Sequence, residues 1–319
     1  MTHRVSRPAP HRDQVLGLML DAQAELIAAF EECDGAARFR AQDWTRPGGG
    51  GGHARVLEAG AVFERAGVNV SAVEGGRVPE AIREAHGLDA DSGFFATGLS
   101  TVLHPRNPWA PSFHANFRYF EVDGDRTWWF GGGADMTPCY GFEEDARHLH
   151  RTLKECCDTY DRAFYADAKK ACDDYFHLPH RGEARGVGGI FFDHLHPEGP
   201  DGWDRGFGLV RRGLDALLPA YLPIVRRRMD TPYGERERRW QLHRRGRYVE
   251  FNLVYDRGTQ FGLQTRGNTE AILMSLPPMT AWSFDLRPEP DSPEARLSDF
   301  LRPRDWLALE SLEPAETRR

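Results

Sequence analysis

Residues 112–119 read Ser-Phe-His-Ala-Asn-Phe-Arg-Tyr, a strict alternation of polar and apolar side chains. Period two marks a β-strand, because side chains two apart project to the same side of the pleat. His114, Asn116 and Arg118 therefore share one face, while Phe113, Ala115, Phe117 and Tyr119 share the other. A strand with one apolar face belongs to an antiparallel sheet that buries that face under helices and leaves the other accessible. An ordinary exposed strand carries interchangeable Thr, Lys or Glu, whereas imidazole, amide and guanidinium in one row look like the wall of a site.

The rest of the chain supplies partners for this strand. Residues 94–104 alternate again, with Ser100, Val102 and His104 on one side, and 105–111 supply a turn rich in proline and asparagine. Pairing these two strands as an antiparallel hairpin directs His104 and His114 into one space. Further strands are predicted at 39–44, 62–63, 68–71, 127–130, 189–193, 247–255, 260–265 and 272–276. In 247–255, Tyr248, Glu250 and Asn252 alternate with Val249, Phe251 and Leu253.

Apolar residues at three- and four-residue steps predict helices over 14–33, 142–160, 163–176 and 203–229, the last interrupted near Pro219 and Pro223. A helical turn is expected at 79–84, helical pieces at 293–309, and a flexible loop or ligand-covering flap at the glycine run 48–52. Without an internal repeat or linker, the expectation is one α+β domain over 1–319. It has a large antiparallel β-sheet flanked by α-helices and a deep substrate cleft, with 1–11 as a flexible N-terminal tail.

At 319 residues and 40% hydrophobic the chain can bury a substantial core. A net charge of −7 argues against nucleic acid, so an acidic ligand must be met by locally placed arginines. Five cysteines form no C-x-x-C pair, no signal peptide precedes them, and no run is long and uncharged enough to span a membrane. These features imply reduced thiols and a cytoplasmic location.

His104, His114, His150 and His180 lie on or beside predicted elements, together with Arg118, Arg181, Arg185 and Arg257 and the glycine-flanked Asp135. Histidine titrates near neutrality and arginine binds carboxylates through two parallel hydrogen bonds, so the set suits proton transfer on a substrate with several carboxylates. A metal site is the alternative reading of the same histidines, although no helix carries them at i and i+4. The run Gly131-Gly132-Gly133 costs chain entropy and needs a cause such as close ligand approach. No dinucleotide fingerprint, P-loop, nucleophile elbow or haem-attachment motif occurs, so no flavin, nicotinamide or haem cofactor is expected.

Several blocks resemble the oxygen-dependent coproporphyrinogen III oxidases. They are His104-Pro-x-Asn-Pro, Pro111-x-x-His114-x-Asn116-x-Arg118, Trp128-Trp-Phe-Gly-Gly-Gly-x-Asp135-x-Thr-Pro and Gly141-Phe-Glu-Glu-Asp-Ala146. They continue with His180-Arg181, Gly186-x-Gly188-Gly189, Gly246-Arg-Tyr-Val-Glu-Phe-Asn-Leu-Val-Tyr-Asp-Arg-Gly-Thr259 and Ile272-Leu-Met-Ser-Leu-Pro277. The resemblance implies oxidative decarboxylation of two propionates of coproporphyrinogen III to vinyl groups by dioxygen, in a homodimer.

It further implies His114 as proton donor, Asp135 against the pyrrole N–H groups and Arg257 for substrate. Ser100, Asn116, Phe117 and Arg118 are implied as substrate contacts, and His104, His114, His150 and His180 as ligands of a divalent metal cation. The family's substrate loop often reads Gly-Gly-Arg or Gly-Ser-Arg where this chain has Arg266-Gly267-Asn268, which displaces the arginine by two positions. Two other readings fit the same residues: a tetrapyrrole carrier without chemistry, and a metal-dependent oxygenase on another substrate.

Overall fold

A computed structural model describes residues 10–78, 80, 83–84, 87, 89, 91–124, 127–264 and 267–308. Helix α1 (Pro10–Asp34) leads into six strands: β1 (Arg40–Thr45), β2 (Gly50–Glu58), β3 (Phe63–Gly75), β4 (Phe94–Pro105), β5 (Ser112–Val122) and β6 (Thr127–Thr137). Helices α2 (Glu143–Asp158) and α3 (Phe164–Tyr175) follow, then the short pair β7 (His177–Leu178) and β8 (Glu183–Ala184), and β9 (Gly189–Leu195). The main sheet has seven strands in the order β1-β2-β3-β4-β5-β6-β9, and every pairing is antiparallel. This is the α+β architecture that the alternating strand implied.

The apolar face of the sheet makes the core. Val68, Val70, Leu99, Phe113, Ala115, Phe117 and Tyr119 pack with α1 through Val15, Met19, Leu26 and Phe30. On the same side lie α2, α4 (Gly202–Asp215) and α5 (Leu217–Arg228), which contribute Leu149, Leu153, Val210, Leu214, Tyr221 and Ile224. The predicted helix at 203–229 is thus two helices, divided at Ala216 ahead of the first predicted interruption. Pro223 is accommodated inside α5.

The second sheet face is flanked by α3 beside β9 and by α6 (Glu235–Val254). Three predicted strands are helices. Residues 247–255 fall mostly in α6, 260–264 in α7 (Arg257–Gln264), and 272–273 in α8 (Thr269–Leu273). In α6 the buried stripe includes Gln241, Arg244, Arg245, Tyr248, Phe251 and Asn252, spaced three and four apart. Its polarity hides the helical period from hydropathy, while the outward Leu253 and Val254 mimic strand alternation. Buried Arg245 explains how such a face is tolerated: it pairs with Glu64 of β3 at 2.6 Å and donates to the Pro105 carbonyl at 2.9 Å.

Three smaller differences concern loops and ends. The glycine run 48–52 is no flap, because Gly50, Gly51 and Gly52 pair across β2 with Val73, Ala72 and Ser71 of β3. Helix α1 starts at Pro10, so residues 10 and 11 of the expected tail are helical, and 1–9 lie outside the described residues. Half of the expected turn at 79–84 (residues 79, 81 and 82) also lies outside them, the other half (80, 83 and 84) is helical, and α9 (Pro293–Phe300) supplies the helical piece near the end. Among the described residues, no helix is long and apolar enough to cross a membrane.

Candidate functional site

Strand register assembles the second sheet face from three adjacent rows. Asn69, Ser100, Asn116 and Gly133 form one, Gly67, Val102, His114 and Asp135 the next, and Ser71, Gly98, Arg118 and Gly131 the third. Ser100, His114, Asn116 and Arg118 are all half-buried, so the sequence-predicted row is a partly open floor. Phe117 does not join it: its side chain is fully buried on the core face, as period two requires.

The glycine triplet now has local causes. A Cβ on Gly131 would stand 2.7 Å from Cζ, Nε and Nη2 of Arg118, so the missing side chain is the space in which that guanidinium lies. A Cβ on Gly133 would stand 2.4 Å from the carbonyl oxygen of Ile190, which blocks the pairing of β6 with β9.

Arg118 lies along this floor. It donates to Asn116 Oδ1 at 3.0 Å and pairs with Asp193 Oδ1 at 2.9 Å. Burial would raise the Asp193 carboxyl, but the Arg118 charge and hydrogen bond outweigh it and hold the group below its usual range. The Arg118 guanidinium carbon is 5.8 Å from the Phe191 ring centroid, and that of Arg257 is 6.0 Å from the same ring. Arg257 also lies over Tyr175, 4.8 Å from its centroid, and Tyr175 stacks on Phe191. Two arginines 139 positions apart in sequence thus flank one aromatic platform at the edge of the floor.

Behind His114 lies a buried ionic network. His114 Nδ1 is 2.9 Å from Asp135 Oδ1. Arg185 donates from Nη2 to the same oxygen at 2.6 Å and from Nε to Oδ2 at 3.1 Å, while its Nη1 reaches Asn252 Oδ1 at 2.9 Å. Its guanidinium carbon sits 4.1, 4.7 and 4.8 Å from the ring centroids of Phe176, Tyr248 and Phe251. Burial alone would raise the Asp135 carboxyl, yet the Arg185 charge and the His114 hydrogen bond bring it below its usual range. Burial also pushes the neighbouring Tyr248 phenol up to about 12.

The sequence singled out Arg185 only as one of four arginines. Its importance depends on Asp135, 50 positions upstream, and Asn252, 67 downstream, a relation that no local pattern displays.

The four histidines implied as metal ligands are not gathered. His104 is fully buried and uses Nδ1 with the Ser112 hydroxyl at 3.0 Å and Nε2 with the Ser275 carbonyl at 2.9 Å. His150 is likewise buried between the Tyr165 hydroxyl at 2.8 Å and the Val187 carbonyl at 3.0 Å. His180 Nε2 contacts Glu250 at 2.7 Å, and its Nδ1 is 2.8 Å from the Tyr255 hydroxyl. Burial drives His104 down to about 3 and His150 to about 4, which makes both neutral members of hydrogen-bonded pairs. Among the described residues no three His, Cys, Asp or Glu side chains are grouped to hold a metal ion. This arrangement does not fit a common four-histidine centre.

The segment 267–276 borders the floor without presenting every expected contact. Asn268 caps α8, its Oδ1 accepting from the Ala271 amide at 3.0 Å, and Gly267 N–H donates to the Gly262 carbonyl at 2.9 Å. Arg266 lies outside the described residues. Met274 lies over Gly67 and thereby places this segment above β3.

The floor therefore combines half-buried amides, a histidine backed by a carboxylate and two arginines around one ring, a set suited to an acidic, nitrogen-rich ligand. The family model described as coproporphyrinogen III oxidase matches residues 14–306, and across that span this chain belongs to the coproporphyrinogen III oxidase family, whose role is in porphyrin and haem biosynthesis.

Proposed function

We propose that this chain catalyses the oxygen-dependent oxidative decarboxylation of two propionate groups of coproporphyrinogen III to vinyl groups, giving protoporphyrinogen IX. For each propionate, a C–C bond breaks to release carbon dioxide and a C–H bond is lost. The two electrons pass to dioxygen, which with two protons leaves as hydrogen peroxide. The observation that carries this reading is the pair Arg118 and Arg257 around Phe191, on the same floor as His114. Guanidinium groups meet propionate carboxylates, and a neighbouring imidazole offers proton transfer at the reacting arm. A carrier would need the first feature but not the second.

The reading includes a homodimer and a cytoplasmic setting. Leu253, Val254, Phe261, Leu263, Met279, Trp282, Phe284 and Leu286 are large apolar residues left exposed at the end of α6, on α7 and along 279–286. Such a concentration suits cover by a second copy. All five cysteines are free thiols, four of them buried, as a reducing compartment would keep them.

The test is an assay on purified protein with coproporphyrinogen III under air and under argon. Carbon dioxide release under air, at two equivalents per macrocycle and absent under argon, is the expected result. Binding without release in air would indicate a carrier, and equal release under argon would overturn the oxygen requirement.

A further inference from the structure

Asp135 is 1% exposed, and both its oxygens are engaged by protein donors. A carboxylate so placed has no free edge to offer a macrocycle on the floor. We infer that Asp135 and Arg185 form a buried positioning pair that acts on the substrate only through His114, fixing the ring so that Nε2 is its working nitrogen. This rests on the reading proposed above and changes the part Asp135 plays in it.

The hydrogen-bond chemistry fixes the tautomer. A carboxylate is an acceptor only, so His114 Nδ1, 2.9 Å from Asp135 Oδ1, must carry the hydrogen. Arg185 Nη2 is also a donor and lies 3.4 Å from the same nitrogen. That contact is therefore the spacing between two donors converging on Oδ1, which Arg185 reaches at 2.6 Å. With Nδ1 protonated toward Asp135, neutral His114 keeps its lone pair on Nε2, the nitrogen that can face the floor.

Arg185 makes this arrangement stiff. Its fork grips both carboxylate oxygens, its third nitrogen is tied to Asn252 of α6, and three aromatic rings close around its plane. Helix α6 thereby sets the orientation of a side chain on β5 through Asn252, Arg185 and Asp135. Pre-oriented bases of this kind owe their efficiency to partners they never pass to the substrate.

The decisive readout needs no substrate. Nitrogen-15 spectra of histidine-labelled protein should show His114 as the Nδ1–H tautomer in the wild type. Asp135→Asn, which puts a donor beside Nδ1, should shift His114 toward Nε2–H. The same variant should lose about 100-fold in kcat with KM within about threefold. Arg185→Lys, which keeps the charge but not the fork, should keep the tautomer and recover part of the kcat lost in Arg185→Met.

The inference is overturned if Asp135→Asn leaves the His114 tautomer unchanged, or if its main effect is a large rise in KM with kcat preserved, as a direct substrate contact would give. Thermal melts identify any variant that fails to fold. Should Arg185→Met do so, Asp135→Asn and Arg185→Lys still decide the matter. If the wild type turned over no coproporphyrinogen III, the proposed activity would fail while the tautomer result stood by itself.

Discussion

Replacing Gly131 with alanine should separate the site from the scaffold. The added Cβ would lie 2.7 Å from three atoms of the Arg118 guanidinium, closer than such contacts allow, and the obstructing group is the end of a flexible side chain. Arg118 should swing away and give up its contacts with Asn116 and Asp193. Because the Arg118–Asp193 pair is partly solvated, losing it should cost only about 0–1 kcal/mol of stability. A charge-assisted contact to a substrate carboxylate is worth about 1.5–3 kcal/mol, so KM should rise roughly 10- to 150-fold while kcat changes less.

Gly133→Ala supplies the contrast. There the Cβ would meet the Ile190 carbonyl oxygen at 2.4 Å and the Phe191 Cα at 3.1 Å, both backbone atoms of β9 that cannot move alone. The expected loss is about 1–3 kcal/mol, visible as a melting point lower by several degrees. Steady-state kinetics and thermal melts on both variants provide the assay. Should Gly131→Ala keep its KM, or melt as low as Gly133→Ala, the assignment of Arg118 to the floor would be refuted.

Acid should unfold this protein by two routes of the same sign. Glu64 is held near about 2 against an ordinary 4.5, because Arg238 and Arg245 outweigh the opposing effect of burial. Its contribution of about 3 kcal/mol is present above pH 4.5 and lost toward pH 2. His104, His150 and His243, brought by burial to about 3, 4 and 4, stay neutral while the unfolded chain takes up protons below pH 6.5. Urea midpoints should therefore fall steadily below pH 6.5, and a flat profile down to pH 4 would contradict this.

Arg257→Ala should raise KM roughly tenfold or more with an unchanged melting point, since its side chain is exposed over Tyr175 and Phe191. An unchanged KM would remove it from the site. Exhaustive chelation should leave turnover and melting intact, because His104 and His150 spend both ring nitrogens on protein partners. A large loss restored by a divalent cation would contradict that arrangement.

The parts of the site legible in sequence are those fixed by strand periodicity. Alternation along β5 places His114, Asn116 and Arg118 on one face, as the structure has them, while the register that sets Ser100 opposite Asn116 and Asp135 opposite His114 comes from the structure alone. What stayed hidden depends on partners far along the chain. Helix α6 turns half-buried Arg238 and buried Arg245 toward one ion-pair partner, Glu64, which lies 174 and 181 positions away, so its inward face looks outward by composition. Arg185 stands in a loop of ordinary charged residues and gains its place only when β6 and α6 close around it. The glycine triplet signalled close approach, but not that a side chain of the same sheet occupies the space over Gly131.

The central claim is that the glycine-bearing face bounded by His114, Asn116, Arg118 and Phe191 receives the macrocycle. A crystal structure with coproporphyrin III, the stable oxidised form of the substrate, tests it most directly. The account predicts the ring above Asn116 and Gly133, with a propionate between Arg118 and Arg257 and His114 Nε2 turned toward an arm. A ring bound elsewhere, or carboxylates held by neither arginine, would contradict it.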